Sequence, residues 1–393
     1  MSNSISKEHL NIWTDYILNY SLNGISKDDI VMVKGEKICW PLISVIQDKI
    51  FEAGAIADIN IVPPDNDRGK VWGSSIARFG TTDQITKVPQ WHIDRYNNMT
   101  KFIEILGTEN PEFFQGQNDK LTQEVMKADE PIKNIRLAKP WVLTLFPTQA
   151  FAEMEDLSLE EYTKVIVNAS IVNPQLLEDI EEDIYQLMDK SKTIRIVTEH
   201  PDTEKLLELS MSISNHHIIK CTGKRNFPDG EVYTSPDANS VEGEIFVDLP
   251  VFQGGSVIQG IYLKFENGKI IEYNAKVGQE TLAKIIETDE GSHRLGEVAL
   301  GMNNGIEKVL KHPLFVEKVG GTLHIAIGAS YPNCYPTEEK SLDDYFNNGV
   351  MNKSAQHVDI VTDFRSGGVG RAVYLDDVKL EQKDNIWVVP KIS

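Results

Sequence analysis

The sequence predicts an α/β protein in two parts: an N-terminal open α/β domain with helices around a sheet, over residues 1–220, and a strand-rich α+β C-terminal domain over residues 221–393. Three observations lead there. A chain of 393 residues exceeds one simple core, so about two domains are expected. Its first part alternates helical and strand patterns, the signature of βαβ units. From Gly243 onward strand patterns follow one another closely and helical residues become scarce.

His9-Leu10, Ile12-Trp13, Tyr16-Ile17 and Tyr20 recur at helical spacing and predict a helix over 8–22. Asp29 to Gly35 reads as a strand, Pro41 to Phe51 as a helix ending near Gly54, and Ala57 to Val62 as a second strand stopped by Pro63-Pro64. Trp141 to Phe146 is a strand closed by Pro147. Ser158 and Glu161 form a capping box for the next helix, and Asn173-Pro174 starts another, with Asn at the cap and Pro in the first turn. Thr193 to Val197 is again a strand. Trp40, Trp72, Trp91 and Trp141 are expected to pack in this half.

A boundary is placed near 215–235. Beyond it lie strands Glu244–Leu249, Val257–Phe265 and Lys269–Lys276, the last two joined through Asn267-Gly268, a strong hairpin signal. Gln279 to Ile286 is helical. Later strands are Thr322–Gly328, Gln356–Asp363, Arg371–Leu375 and Asn385–Val389, around an antiparallel meander. Gly320-Gly321 and Gly367-Gly368 read as turns, and no Gly-rich phosphate-binding fingerprint occurs.

Composition narrows the function classes. With 41% hydrophobic and 25% charged residues the chain is that of a soluble globular protein. A net charge of −20 argues against nucleic acid and anionic membranes and suits cationic ligands such as free amino termini. Cys39, Cys221 and Cys334 are sparse and odd in number, which reads as reduced thiols in the cytoplasm. No signal peptide is read at the amino terminus, and no run reaches the roughly 18 apolar residues of a membrane span.

The chemistry-bearing residues cluster in the second half. His357 and Asp359 are two apart on a strand, so both side chains leave the same face. Such a pair serves either as a buried hydrogen bond that orders the core or as half a site for zinc, manganese, cobalt or iron. His324 shares one strand face with Ala326 and Gly328, which leaves room above it for a ligand, although a core hydrogen bond would also suit it. Glu297 enters the apolar run Val298–Leu300, where an unpaired carboxylate is costly, and Gly296 beside it allows close backbone approach. Glu231 follows the turn Pro228-Asp229-Gly230, and its local sequence alone reads as an exposed loop acid.

Four blocks taken together become recognisable: Asn226-Phe227-Pro228-Asp229-Gly230-Glu231-Val232-Tyr233-Thr234-Ser235-Pro236; Thr288 to Leu300, containing His293-Arg294-Leu295-Gly296-Glu297; His324-Ile325-Ala326-Ile327-Gly328; and His357-Val358-Asp359. In order and separation they resemble the signature blocks of the aminopeptidase T and aminopeptidase S family of two-metal metallo-aminopeptidases. The resemblance is strong over about residues 225–390. Over 1–220 only scattered pieces agree, such as Phe146-Pro147-Thr148 and Thr203-Glu204-Lys205-Leu206. After the His-x-Asp strand the family usually continues toward Met-Ile-Gly-Ser, whereas here Ile360-Val361-Thr362-Asp363-Phe364 follows, a departure that bears on side-chain preference and spares the ligands.

The resemblance implies that Glu231, Glu297, His324, His357 and Asp359 hold two divalent metal ions per chain, zinc first, with cobalt or manganese as alternatives. It places Tyr331 at an active-site tyrosine, able to donate to a tetrahedral oxyanion, though a strand-end aromatic is the plainer reading. Charge counting is compatible: two divalent ions bring four positive charges, the three carboxylates return three, and a metal-bridged hydroxide supplies the fourth. Glu290, seven residues before Glu297, is the candidate general base if the segment folds back; otherwise it is a solvated carboxylate. The implied protein is a cytoplasmic metal-dependent aminopeptidase that hydrolyses amino-terminal residues from short peptides, a homodimer whose sites face an enclosed cavity. The first domain would shape that cavity or form the dimer contact. A mononuclear Fe(II) ring-cleaving dioxygenase of the same fold would need only His324, His357 and Asp359, and Glu231 and Glu297 argue against it. A catalytically idle peptide-binding protein is the third alternative.

Overall fold

The computed structural model describes residues 5–62, 79–109, 127–253, 256–365 and 370–390. The turn expected at Gly367-Gly368 and Trp72 fall outside these residues. The architecture is mixed α/β, with a five-stranded parallel sheet and antiparallel sheets of eight and five strands, as the sequence predicts. No helix among the described residues is long and apolar enough to cross a membrane.

The chain forms two compact units. The first comprises Met1–Pro174 together with Gly223–Pro228. Its sheet runs in the order Ile56–Val62, Ile30–Glu36, Lys101–Leu106, Trp141–Leu145, Asn226–Phe227, parallel at every pairing. The expected βαβ unit is present, with helix Trp40–Glu52 as its crossover and Gly54 at φ +78° ending it. The first helix spans Lys7–Asp15, capped by the Ser6 hydroxyl, and runs on as a π-helical turn over Tyr16–Ser21. It buries Trp13 completely, and the indole N–H donates to Thr144 Oγ1 at 3.1 Å. Trp40 and Trp91 depart from the packing expected of them, being 45% and 58% exposed. The Ser158–Glu161 capping box forms as predicted.

The second unit comprises Gln175–Thr222 and Asp229–Ser393. Residues 175–220, placed with the first half by their helix-then-strand pattern, fall in this second unit. Strand Thr193–Glu199 pairs antiparallel with Leu206–Ser212 and with Ala372–Leu375. Ile184 and Met188 of helix Pro174–Lys190 join Ile194, Ile196 and Leu209 in one core. Local periodicity reports an element's type and not its pairing partner, which explains the shift. The Asn267-Gly268 hairpin links Ser256–Glu266 to Lys269–Val277, both turn residues having positive φ.

A separate five-stranded antiparallel sheet runs in the order His357–Asp363, Thr322–Gly328, Leu295–Gly301, Glu231–Thr234, Ile219–Cys221. Strand alternation divides it sharply. One face sends Val232, Val298, Leu300, Leu323, Ile325, Ile327, Val358 and Ile360 into the core. The opposite face carries the polar residues described next.

Candidate metal centre

Register builds the centre. Asp359 lies opposite Ala326, and Ala326 lies opposite Glu297, so two carboxylates flank a methyl group across three strands. His324 and His357 stand two residues before Ala326 and Asp359 on the same face. On the fourth strand Glu231 lies opposite Gly301. The middle of this face is thus lined by Ala299, Gly301, Ala326 and Gly328, and the longer side chains lean over a shallow floor. Gly296 is needed for this arrangement: a Cβ there would sit 2.0 Å from the Ala329 carbonyl oxygen, at the point where the pairing register shifts before Glu297.

The five residues expected as ligands are brought together in two groups. Glu231, Glu297 and His324 form one; Glu297, His357 and Asp359 form the other; in each, the donor atoms lie within 4.8 Å of one another. Glu297 belongs to both. Its Oε2 is 3.0 Å from His357 Nε2 and its Oε1 is 3.8 Å from His324 Nε2. Glu231 Oε2 lies 3.6 Å from His324 Nε2, and Asp359 Oδ1 lies 3.5 Å from His357 Nε2. Glu231, Glu297 and His324 are 5%, 3% and 1% exposed, so the Glu231 environment is a buried strand start and not the exposed loop its local sequence suggests.

This donor set fits divalent ions. Most of these separations are too long for good hydrogen bonds. They suit atoms flanking an ion, since ligands about 2 Å from a tetrahedral centre lie about 3.4 Å apart. Glu231 Oε2 and Asp359 Oδ1 are buried and have no hydrogen-bond partner. His357 Nδ1 is 2.7 Å from the Ala329 carbonyl oxygen, which fixes a proton on Nδ1 and turns Nε2 toward the carboxylates.

The electrostatics agree. Burial opposes charge on His357, but Asp359 and Glu297 outweigh it and its pKa is pushed up to about 11. His324 is raised as well, against burial, by Glu297 first and then by the charges of Glu231 and Asp359. Glu297 is lowered despite burial, by His324 first and then by its hydrogen bond to His357. The group draws in positive charge wherever a proton or ion can be placed.

Two further residues, Tyr331 and Glu290, are expected from the sequence to act in catalysis. The Tyr331 ring lies 4.6 Å from that of His357 and 5.3 Å from that of Tyr233, and its backbone N–H donates to Ser235 Oγ at 2.9 Å. Burial, and then the carboxylates of Glu297, Asp359 and Glu231, keep its hydroxyl protonated. Glu290 is not brought to the cluster. Its side chain is 87% exposed and pairs with Lys269 at 3.3 Å. The neighbouring acid takes the inward place: Asp289 accepts from Ser292 N, Ser354 Oγ and Ala355 N, and so pins the turn that aims Glu290 outward.

Sequence reasoning missed Glu317 and Lys318. Glu317 lies against Asp359, and burial together with the Asp359 charge raises its pKa well above the usual carboxylate range. Lys318 is 2% exposed and ion-pairs with Glu231, with Glu317 at 3.4 Å and with Asp229 at 3.7 Å. Both sit in the turn before His324, held where Asn303 N donates to the Lys318 carbonyl and Gly320 N to the Asn303 carbonyl. The one local signal is a charged pair between the apolar Leu314-Phe315-Val316 and Gly320-Gly321.

Comparison with known proteins shows what the chain is similar to. The family described as thermophilic metalloprotease (M29) matches residues 6–367. Aminopeptidase AmpS of Bacillus subtilis (strain 168) is 25% identical over 390 residues, covering 90% of this chain and 92% of that protein. Aminopeptidase T of Thermus thermophilus is 38% identical over 138 residues, 34% of this chain and 33% of the relative. Among solved structures, wild-type AmpT from Thermus thermophilus superposes with a TM-score of 0.74 at 21% identity, covering 98% of this chain and 100% of its own. The 2,5-dihydroxypyridine dioxygenase of Pseudomonas putida KT2440 gives 0.57 at 11% identity, with 99% of each chain covered.

Proposed function

We propose that this chain, which belongs to the thermophilic metalloprotease (M29) family, is a two-metal aminopeptidase that removes amino-terminal residues from short peptides. The observation that carries the reading is the sharing of Glu297 between two donor groups, one completed by Glu231 and His324, the other by His357 and Asp359. A carboxylate shared by two His-bearing groups is an arrangement that would hold a pair of ions. When bound, the ions lower the pKa of water and polarise the scissile carbonyl. Zinc is the first choice, with cobalt or manganese as alternatives.

The chain's own residues supply the rest. Glu297 would be shared by the two ions, and the Ala329 carbonyl would hold His357 in its ligating tautomer. Glu317, against Asp359, adds an oxygen donor to that end. The protonated Tyr331 hydroxyl is the donor for the developing oxyanion. The acid-rich surroundings in a chain of net charge −20 favour the ammonium of a free amino terminus. Relatives named aminopeptidases support the same substrate class. A single-iron dioxygenase would leave Glu231 and Glu297 without a role. A cytoplasmic setting fits the three free cysteines, and a homodimer is expected from light scattering. The reading is tested by digesting a peptide library and following products by mass spectrometry: residues should be released stepwise from free amino termini, and not from acetylated ones. Release from blocked peptides, or none after metal loading, would end it.

A further inference from the structure

Lys318 is a cation built into a group of metal-type ligands. Cys221, Asp229 and Glu231 form a third such group, their donor atoms within 4.8 Å of one another. Cys221 lies directly opposite Glu231 across an antiparallel pairing, so their side chains share one face. Asp229 precedes Glu231 by two residues, at a turn fixed by Asn303, whose Nδ2 donates to the Asp229 carbonyl at 2.6 Å. A Cβ on Gly230 would sit 2.7 Å from Asn303 Cβ, so the turn admits little but glycine. A further acid is close by: Glu181 is fully buried, neither of its oxygens has a hydrogen-bond partner, and burial raises its pKa well above the usual carboxylate range.

A thiol and several acids in so buried a place would attract a divalent ion. The Lys318 ammonium reaches Glu231 Oε1 and lies 3.7 Å from Asp229 Oδ1. It engages one oxygen of Glu231 and leaves Oε2, without a partner, turned toward His324.

We propose that Lys318 is a positioning residue of the metal centre: its tethered ammonium fills the cation position outlined by Cys221, Asp229 and Glu231, limits the centre to two ions, and dedicates Glu231 Oε2 to the ion beside His324. This rests on the two-ion reading above. A lysine in this role cannot be exchanged or chelated, so the Glu231 end keeps its geometry before any ion arrives. It also cancels one negative charge in a place where three carboxylates approach the same ammonium.

The test is metal stoichiometry combined with the cobalt spectrum, measured on the full chain. Wild type is expected to bind two Co(II) ions with no thiolate-to-cobalt charge-transfer absorption. Lys318→Met is expected to take up a third ion and to show that absorption, because Cys221 becomes a ligand; adding Cys221→Ser should abolish the band. Lys318→Gln, which keeps a polar group, gives the same expectation and covers a Met variant that does not fold. A thiolate band in wild type would overturn the proposal. So would a folded neutral variant that still binds two ions without the band. Fewer than two ions in wild type is a different failure, that of the two-ion reading itself.

Discussion

In the parallel-sheet unit, buried charge is matched pair by pair. Lys34 meets Glu104 at 2.7 Å with Arg136 3.8 Å away, Arg95 grips Asp58 through two hydrogen bonds of 2.8 Å, and Asp29 accepts from Ser26 N, Thr100 Oγ1 and Lys101 Nζ. In the antiparallel site sheet the acids face one another and two histidines, and carboxylate oxygens are left without partners. The first pattern is complete without any addition. The second is electrostatically unfinished, and burial makes an unfinished group expensive. Buried charge by itself therefore does not mark function; the direction of the imbalance does.

The contrast predicts opposite outcomes for superficially similar substitutions. Glu297→Ala should reduce kcat/KM by more than the roughly 10–100-fold typical of residues that merely orient a ligand, and should remove bound metal, with circular dichroism unchanged. Metal retained at wild-type level would show that Glu297 is no bridge. Tyr331→Phe is next, expected to lower kcat by about 100-fold with metal content and KM nearly intact, because a single oxyanion donor is lost. A change confined to KM would make Tyr331 a binding residue only.

Asp29→Asn should leave turnover per folded molecule unchanged and cost about 2 kcal/mol of stability in denaturant titration, the scale of hydrogen bonds to a charged group. Its pH behaviour has a definite sign. Burial opposes ionisation of Asp29, but the hydrogen bonds outweigh it and hold its pKa down to about 2, below the ordinary 3.8. The stabilisation is therefore complete above about pH 4 and is lost as pH falls through about 2, and the Asn variant should lack this component of acid sensitivity. Smallest of all is Glu290→Gln, expected within about 0.5 kcal/mol of wild type in stability and unchanged in rate, since its pair with Lys269 is solvent-exposed. A collapse in rate would return Glu290 to the role of proton acceptor.

Much of this was legible in the sequence. Strand period placed His357 beside Asp359 and His324 beside Ala326 and Gly328, and the register then joined those faces. The Ser158 capping box and the Asn267-Gly268 hairpin were readable because their signals are local. The outward aim of Glu290 was not legible because adjacent acids in a turn carry no local mark of which one points inward; the donors that select Asp289 come from residues 354 and 355. Lys318 escaped for the same reason, since its partners Glu231 and Asp229 lie nearly ninety residues earlier. The pairing of strand Thr193–Glu199 with Ala372–Leu375 is likewise a long-range fact that no window of sequence encodes.

The central claim is that Glu297 joins two ion positions. It is tested most directly by elemental analysis of the purified, zinc-reconstituted chain after removal of loosely held metal. The account predicts two divalent ions per chain in wild type and loss from both positions in Glu297→Ala. A single ion in wild type, or iron in a one-to-one ratio, would contradict it.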